Sequence, residues 1–178
     1  MKKSEMKELV QNAIETKTLC QMEFKYDEYC QTYFPLQMGD RLFLSAKHDD
    51  FLIDGFVIRR FCDLKKMKQN NDKRNEIIKA EGILDGVMTP DIDLTDWHSV
   101  FLSLQKMGKV IIVEKESLDE DEWEFAIGRI EKVLKNKILF KDFDADGIWQ
   151  EEPLEIPFSQ ITTVQVGTRY AEVFSKYV

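Results

Sequence analysis

The chain repeats its own plan. Residues 5–16, EMKELVQNAIET, place Met6, Leu9, Val10, Ala13 and Ile14 at helical spacing, and Lys17 leads into the strand-like run TLCQMEF. Residues 94–107 do the same: Leu94, Trp97, Val100, Phe101 and Leu104 form the apolar stripe, Thr95 or Asp96 caps its start, Gly108 ends it, and KVIIVEK follows as a strand. Further on, RLFLSAKHDDFLIDGFVIRRFCDLKKM at 41–67 matches KILFKDFDADGIWQEEPLEIPFSQITTVQV at 137–166. Each reads strand, acidic turn, strand, then a bend into a final strand. Aligning Ile53 with Ile156 sets Ile58 on Ile161 and Phe61 on Val164, with a one-residue ambiguity near Gly55 and Pro157.

Between the copies lies a polar stretch with a short helix expected over 72–80, capped by Asn71 or Asp72, and a Gly- and Pro-marked linker that runs to Pro90. A boundary near residue 85 gives two units, 1–85 and 86–178. The expected fold class is mainly β with α (α+β). A helix followed by about five short strands suits a small, strongly bent antiparallel barrel, so the expected architecture is two tandem small antiparallel β-barrels, each preceded by a helix.

This helix-then-strands plan, with the closing run EIPFSQITTVQVGTRY at 155–170, resembles the Sm-like and SH3-like small barrels of many bacterial proteins. The whole chain is similar to a bacterial family carrying such barrels in tandem. The resemblance implies a fold and leaves RNA binding, peptide binding and assembly open, because function lives in sites grafted on folds. The Asp, Asn and Arg-Gly pocket signature of Sm-like RNA binders is not found at matching positions, and the net charge of −8 repels phosphate backbones and anionic membranes at long range.

Other classes lose ground on composition and motif. No run of 18 apolar residues and no secretory leader pattern occurs, and Cys20, Cys30 and Cys62 are odd in number with no CxxC, which fits reduced thiols in a cytoplasmic protein. GxGxxG, GxxxxGK[ST] and HExxH are missing, and His48 and His98 have no nucleophile or metal-ligand partner nearby in sequence. The expectation is a protein without enzymatic activity or cofactor.

Charge is segregated along the chain. From Arg59 to Arg74 seven bases face two acids, from Glu114 to Glu124 seven acids face Lys115 alone, and 142–155 holds six acids and no base. Opposite potentials steer association, so a basic edge of the first unit and an acidic edge of the second suggest pairing within the chain, or head to tail in a homo-oligomer or with a protein partner. Alternatively, Arg59, Arg60, Lys65, Lys66 and Lys68 grip nucleic-acid phosphates while Phe61 or Phe56 offers a stacking surface.

Residues 142–153 pose a separate question. Asp142, Asp144, Asp146 and Gly147 have the spacing that opens an EF-hand calcium loop, but Pro153 occupies the position of the bidentate glutamate and the flanks read as strands. A different calcium loop would use the three aspartates and a displaced Glu152. A hairpin turn is the preferred reading, with Asp144, Asp146 and Gly147 as turn formers. The alternation of Trp123, Phe125 and Ile127 predicts a half-buried strand with most of these aromatics in the core. Trp149, after the acidic turn, is expected to be partly exposed and available for binding. The tail TRYAEVFSKYV, with Tyr170, Val173, Phe174 and Tyr177 at helical spacing, reads as a strand or short helix.

Overall fold

The computed structural model describes residues 3–178, which divide into two compact units, Met1–Pro90 and Asp91–Val178. In the first unit, helix α1 (Lys3–Thr16) precedes β1 (Cys20–Phe24), β2 (Gln31–Met38), β3 (Leu42–Asp49) and β4 (Leu52–Arg60); a 3₁₀ turn at Phe61–Asp63 leads to β5 (Leu64–Gln69) and helix α2 (Lys73–Ala80). Asp72 caps α2 by accepting from the Asn75 amide. Ile83 and Leu84, just before the boundary expected near residue 85, pack on Leu19, Phe34, Ala46 and Ile78, which holds the start of the linker to the first unit.

The second unit has helix α3 (Trp97–Met107), β6 (Ile111–Lys115), β7 (Glu124–Val133), β8 (Lys137–Asp142), β9 (Leu154–Pro157), β10 (Thr163–Val166) and helix α4 (Arg169–Phe174). Asp96 caps α3 and Gly108 closes it in the left-handed region at φ 64°.

Both units are built on one ladder. The order is β5-β1-β2-β3-β4 in the first and β10-β6-β7-β8-β9 in the second, antiparallel throughout each. Even the irregularities recur: the second strand bulges against the third between Pro35 and Gln37 in one unit and between Ile130 and Lys132 in the other. The pairs Cys20 with Tyr33 and Ile111 with Gly128 correspond, as do Leu44 with Ile58 and Leu139 with Glu155.

These registers correct the alignment drawn from the sequence. Ile58 corresponds to Glu155, not Ile161, and Phe61 corresponds to Phe158. The apolar pattern misled because the first unit joins its third and fourth strands through Asp50 and Phe51 alone, whereas the second inserts residues 143–153 there and keeps a fourth strand of only four residues.

The expectation of two closed small barrels is also overturned: the strands form an open antiparallel sheet, five strands in each unit. Closure would need the fourth strand to pair with the fifth. The fifth strand pairs with the first, through a turn at Phe61–Asp63 in one unit and at Phe158–Gln160 in the other, and in the strand order it has no second ladder to the fourth. Alternation in sequence specifies strands and their faces, but not whether the outer two meet.

One face of the first sheet is covered by α1, whose buried Met6, Val10 and Ala13 pack into a cluster with Phe24, Tyr33, Phe43 and Phe61. In the second unit Val110, Ile112, Ile127, Phe143 and Ala171 form a core with Trp149, Phe174 and Val178 against it, while Phe101 of α3 stacks on Phe158. Trp123 and Phe125 depart from expectation. They are 48% and 51% exposed, because β7 leaves this core at its N-terminal end and buries only Ala126, Ile127 and Gly128.

Candidate functional site

Two surfaces and one buried cluster account for the residues singled out in the sequence. Arg59, Arg60 and Phe61 end β4 and begin the turn, yet they do not face solvent together. The Arg59 guanidinium lies 4.0 Å from the centre of the Phe24 ring and 5.9 Å from that of Tyr33, with Asp27 at 3.7 Å. Its side chain is 8% exposed. Arg60 pairs with Asp63 three residues on, and Phe61 is a core ring beneath α1, with Lys7 over its face. Burial lowers the affinity of Arg60 for its proton, but the hydrogen bond that Arg60 donates to Asp63, together with the Asp63 charge and the other groups around it, outweighs burial and raises the pKa above the usual value.

Lys65, Lys66 and Lys68 differ: all three are exposed on β5, an outer strand whose ladder runs to β1. Lys66 reaches across to Glu23 at 3.3 Å. In the second unit the outer strand β9, paired to β8, carries Glu155 and is preceded by Glu151 and Glu152, all exposed. Glu155 pairs with Lys137. Trp149 is half-buried, set edge-on against Phe143 with Arg129 over its face 5.7 Å away, so it belongs to the core margin.

The acidic loop is a turn in its hydrogen bonding. One Asp144 carboxylate oxygen accepts from the amides of Asp146 and Ile148, and the Gly147 amide donates to the Asp144 carbonyl with Gly147 at φ 79°. Among the described residues no group of three or more His, Cys, Asp or Glu side chains is arranged to hold a metal ion. Asp144→Ala is therefore expected to cost about 1 kcal/mol, the value of a capping carboxylate, with Asp144→Asn recovering most of it and added calcium changing neither melting curve. A calcium-dependent rise in Tm that Asp144→Ala removes would refute the turn assignment.

The remaining reactive groups have structural explanations. Burial pushes the Cys20 thiol up to about 12, which removes it as a nucleophile, and none of the three cysteines is in a disulfide. His48 accepts from the Phe51 amide at 3.3 Å and lies 3.3 Å from the Thr32 hydroxyl. It braces a hairpin in which Asp50 and Phe51 adopt positive φ, and burial, with Arg74 nearby, keeps its pKa below the usual histidine range. His98, in the first turn of α3, sits edge-on to Phe158.

One feature escaped sequence reasoning. In the second unit a groove opens between the end of β6, the start of β7, and β9. Phe125, Leu154, Ile156 and Ile161 form its apolar walls, and Lys115, Glu124 and Glu155 its rim. Lys115 donates to Glu124 at 2.9 Å, which raises the lysine pKa above the usual value. The only sequence signal was the aromatic pair Trp123 and Phe125 beside the acidic run, and it reads equally well as core.

No protein-family model, curated protein or solved structure matches the chain. No helix among the described residues is long and apolar enough to cross a membrane.

Proposed function

We propose that the protein is a non-enzymatic protein-binding and assembly module, which associates head to tail by setting the basic strand β5 of one copy beside the acidic strand β9 of the next. The observation that carries this reading is that Lys65, Lys66 and Lys68 are exposed on the outer strand β5, whereas Glu155 on the outer strand β9 and Glu151 and Glu152 just before it are exposed on the other. Exposed lysines on a sheet edge discourage pairing with an identical edge, and so do exposed glutamates. Such devices leave the complementary edge as the favoured partner, and a heterologous contact of that kind builds rings or chains rather than a two-fold dimer.

Sedimentation velocity over a range of concentrations tests the reading. At roughly 50 mM salt a defined oligomer is expected, weakening at 300 mM as the edges are screened. Lys65→Glu with Lys68→Glu abolishes it while sparing Lys66, the partner of Glu23. Glu151→Lys with Glu152→Lys does the same, and mixing the two variants restores association. A monomer under all conditions refutes self-assembly. Steeply salt-dependent anisotropy with labelled single-stranded RNA, lost in the lysine variant, would replace it with the nucleic-acid alternative.

A further inference from the structure

The duplicated ladder makes the two units each other's control, and at one place they differ in chemistry. Where the second unit has its groove, the first is filled by its own side chain. By register, Arg59 of the first unit corresponds to Ile156 of the second, Tyr33 to Gly128, and Phe24 to Lys115. In the first unit the Arg59 guanidinium reaches from the fourth strand to within 4.0 Å of the centre of the Phe24 ring on the first, beside Tyr33 and with Asp27 opposite, and its side chain is 8% exposed. In the second, Ile156 lines the groove and is too short to fill it. A cavity of about 50 Å³ remains, bordered by Phe125 and Leu154, which are 51% and 44% exposed.

We infer that this groove of the second unit is a receptor site for an arginine side chain on an extended segment of a partner protein, supplied from outside where the first unit supplies its own Arg59. Three properties of the groove fit that occupant. Its volume is roughly that of four water-sized groups, and a guanidinium head has four heavy atoms. Its walls are apolar, with an exposed aromatic ring on which a planar cation stacks and an aliphatic stem packs. Its lining is net acidic: Glu114, Glu124 and Glu155 stand against Lys115 alone, and the acidic run 119–122 lies in the connection from β6 to β7, so that even with Glu124 paired to Lys115 and Glu155 to Lys137 a cation is favoured over an anion.

The test uses the full ¹⁵N-labelled chain, at concentrations where sedimentation shows it monomeric, so the outcome bears on the groove and not on edge pairing. Acetyl-Gly-Arg-Gly-amide is titrated, with its lysine and leucine counterparts in parallel. Saturable shifts confined to the amides of Lys115, Phe125, Ala126, Leu154 and Ile156 are expected, with the arginine peptide binding roughly tenfold tighter than the leucine peptide. Ile156→Arg, which gives the second unit the plug of the first, is expected to abolish these shifts without loss of Tm, and Phe125→Ala, at an exposed position, to weaken them. Equal or tighter binding of the leucine peptide overturns the proposal. So does a response that survives both variants, or no response to the arginine peptide at tens of millimolar.

Discussion

Gly128→Ala is expected to be a severely damaging single-methyl change, lowering Tm by roughly 10 °C, which corresponds to about 3 kcal/mol in a protein of this size. The cause is steric. A Cβ built on Gly128 would meet the carbonyl group of Lys141, and would lie 2.7 Å from the Asp142 Cα and 2.8 Å from the Lys141 carbonyl carbon. These are backbone atoms of β8, fixed by the ladder that pairs Gly128 with Asp142, so no side chain can swing aside. Gly108→Ala is the matched control. Its φ of 64° penalises alanine, but nothing lies within 4 Å of the added methyl, and about 1 kcal/mol is expected. Thermal melts of the two variants check the ordering. A Gly128→Ala protein no less stable than Gly108→Ala would show that β7 and β8 can separate locally.

Helices and strands were legible because their signals are local. Asp72, Asp96 and Gly108 cap where their chemistry predicts, and the stripe Trp97, Val100, Phe101 and Leu104 is buried as its spacing requires. The duplication was legible for the same reason, in repeated elements, but its register was not. Ile58 pairs across its strand as Glu155 does, although one residue is buried and the other exposed; the ladder keeps position while the chemistry changes. Whether the outer strands meet, and which unit fills the space between its first and fourth strands, depends on contacts between residues far apart in sequence. The charge pattern gave a mixed result for that reason. Lys65, Lys66 and Lys68 are exposed as a basic run suggests, whereas Arg59 and Arg60, a few residues earlier, are committed to Asp27 and Asp63.

Arg59→Ala distinguishes a structural arginine from a phosphate-binding one. A surface arginine that grips phosphate contributes within about ±0.5 kcal/mol to folding, so its loss would weaken RNA binding and leave Tm unchanged. Here about 3 kcal/mol is expected. The substitution removes the stacking on Phe24 and the packing against Tyr33, and it leaves Asp27, whose side chain is 13% exposed, without the guanidinium opposite it. Arg59→Lys is expected to recover only part of the loss, since an ammonium keeps the charge but not the planar face that meets the ring. Combining Arg59→Ala with Asp27→Asn should cost less than the sum of the single changes, because the second removes the charge that the first strands. Urea melts of the three single variants and the double variant measure this directly. Additivity would mean that the ion pair contributes little and that ring stacking alone holds Arg59 in place; an unchanged midpoint for Arg59→Ala would return this residue to the surface and reopen the nucleic-acid reading.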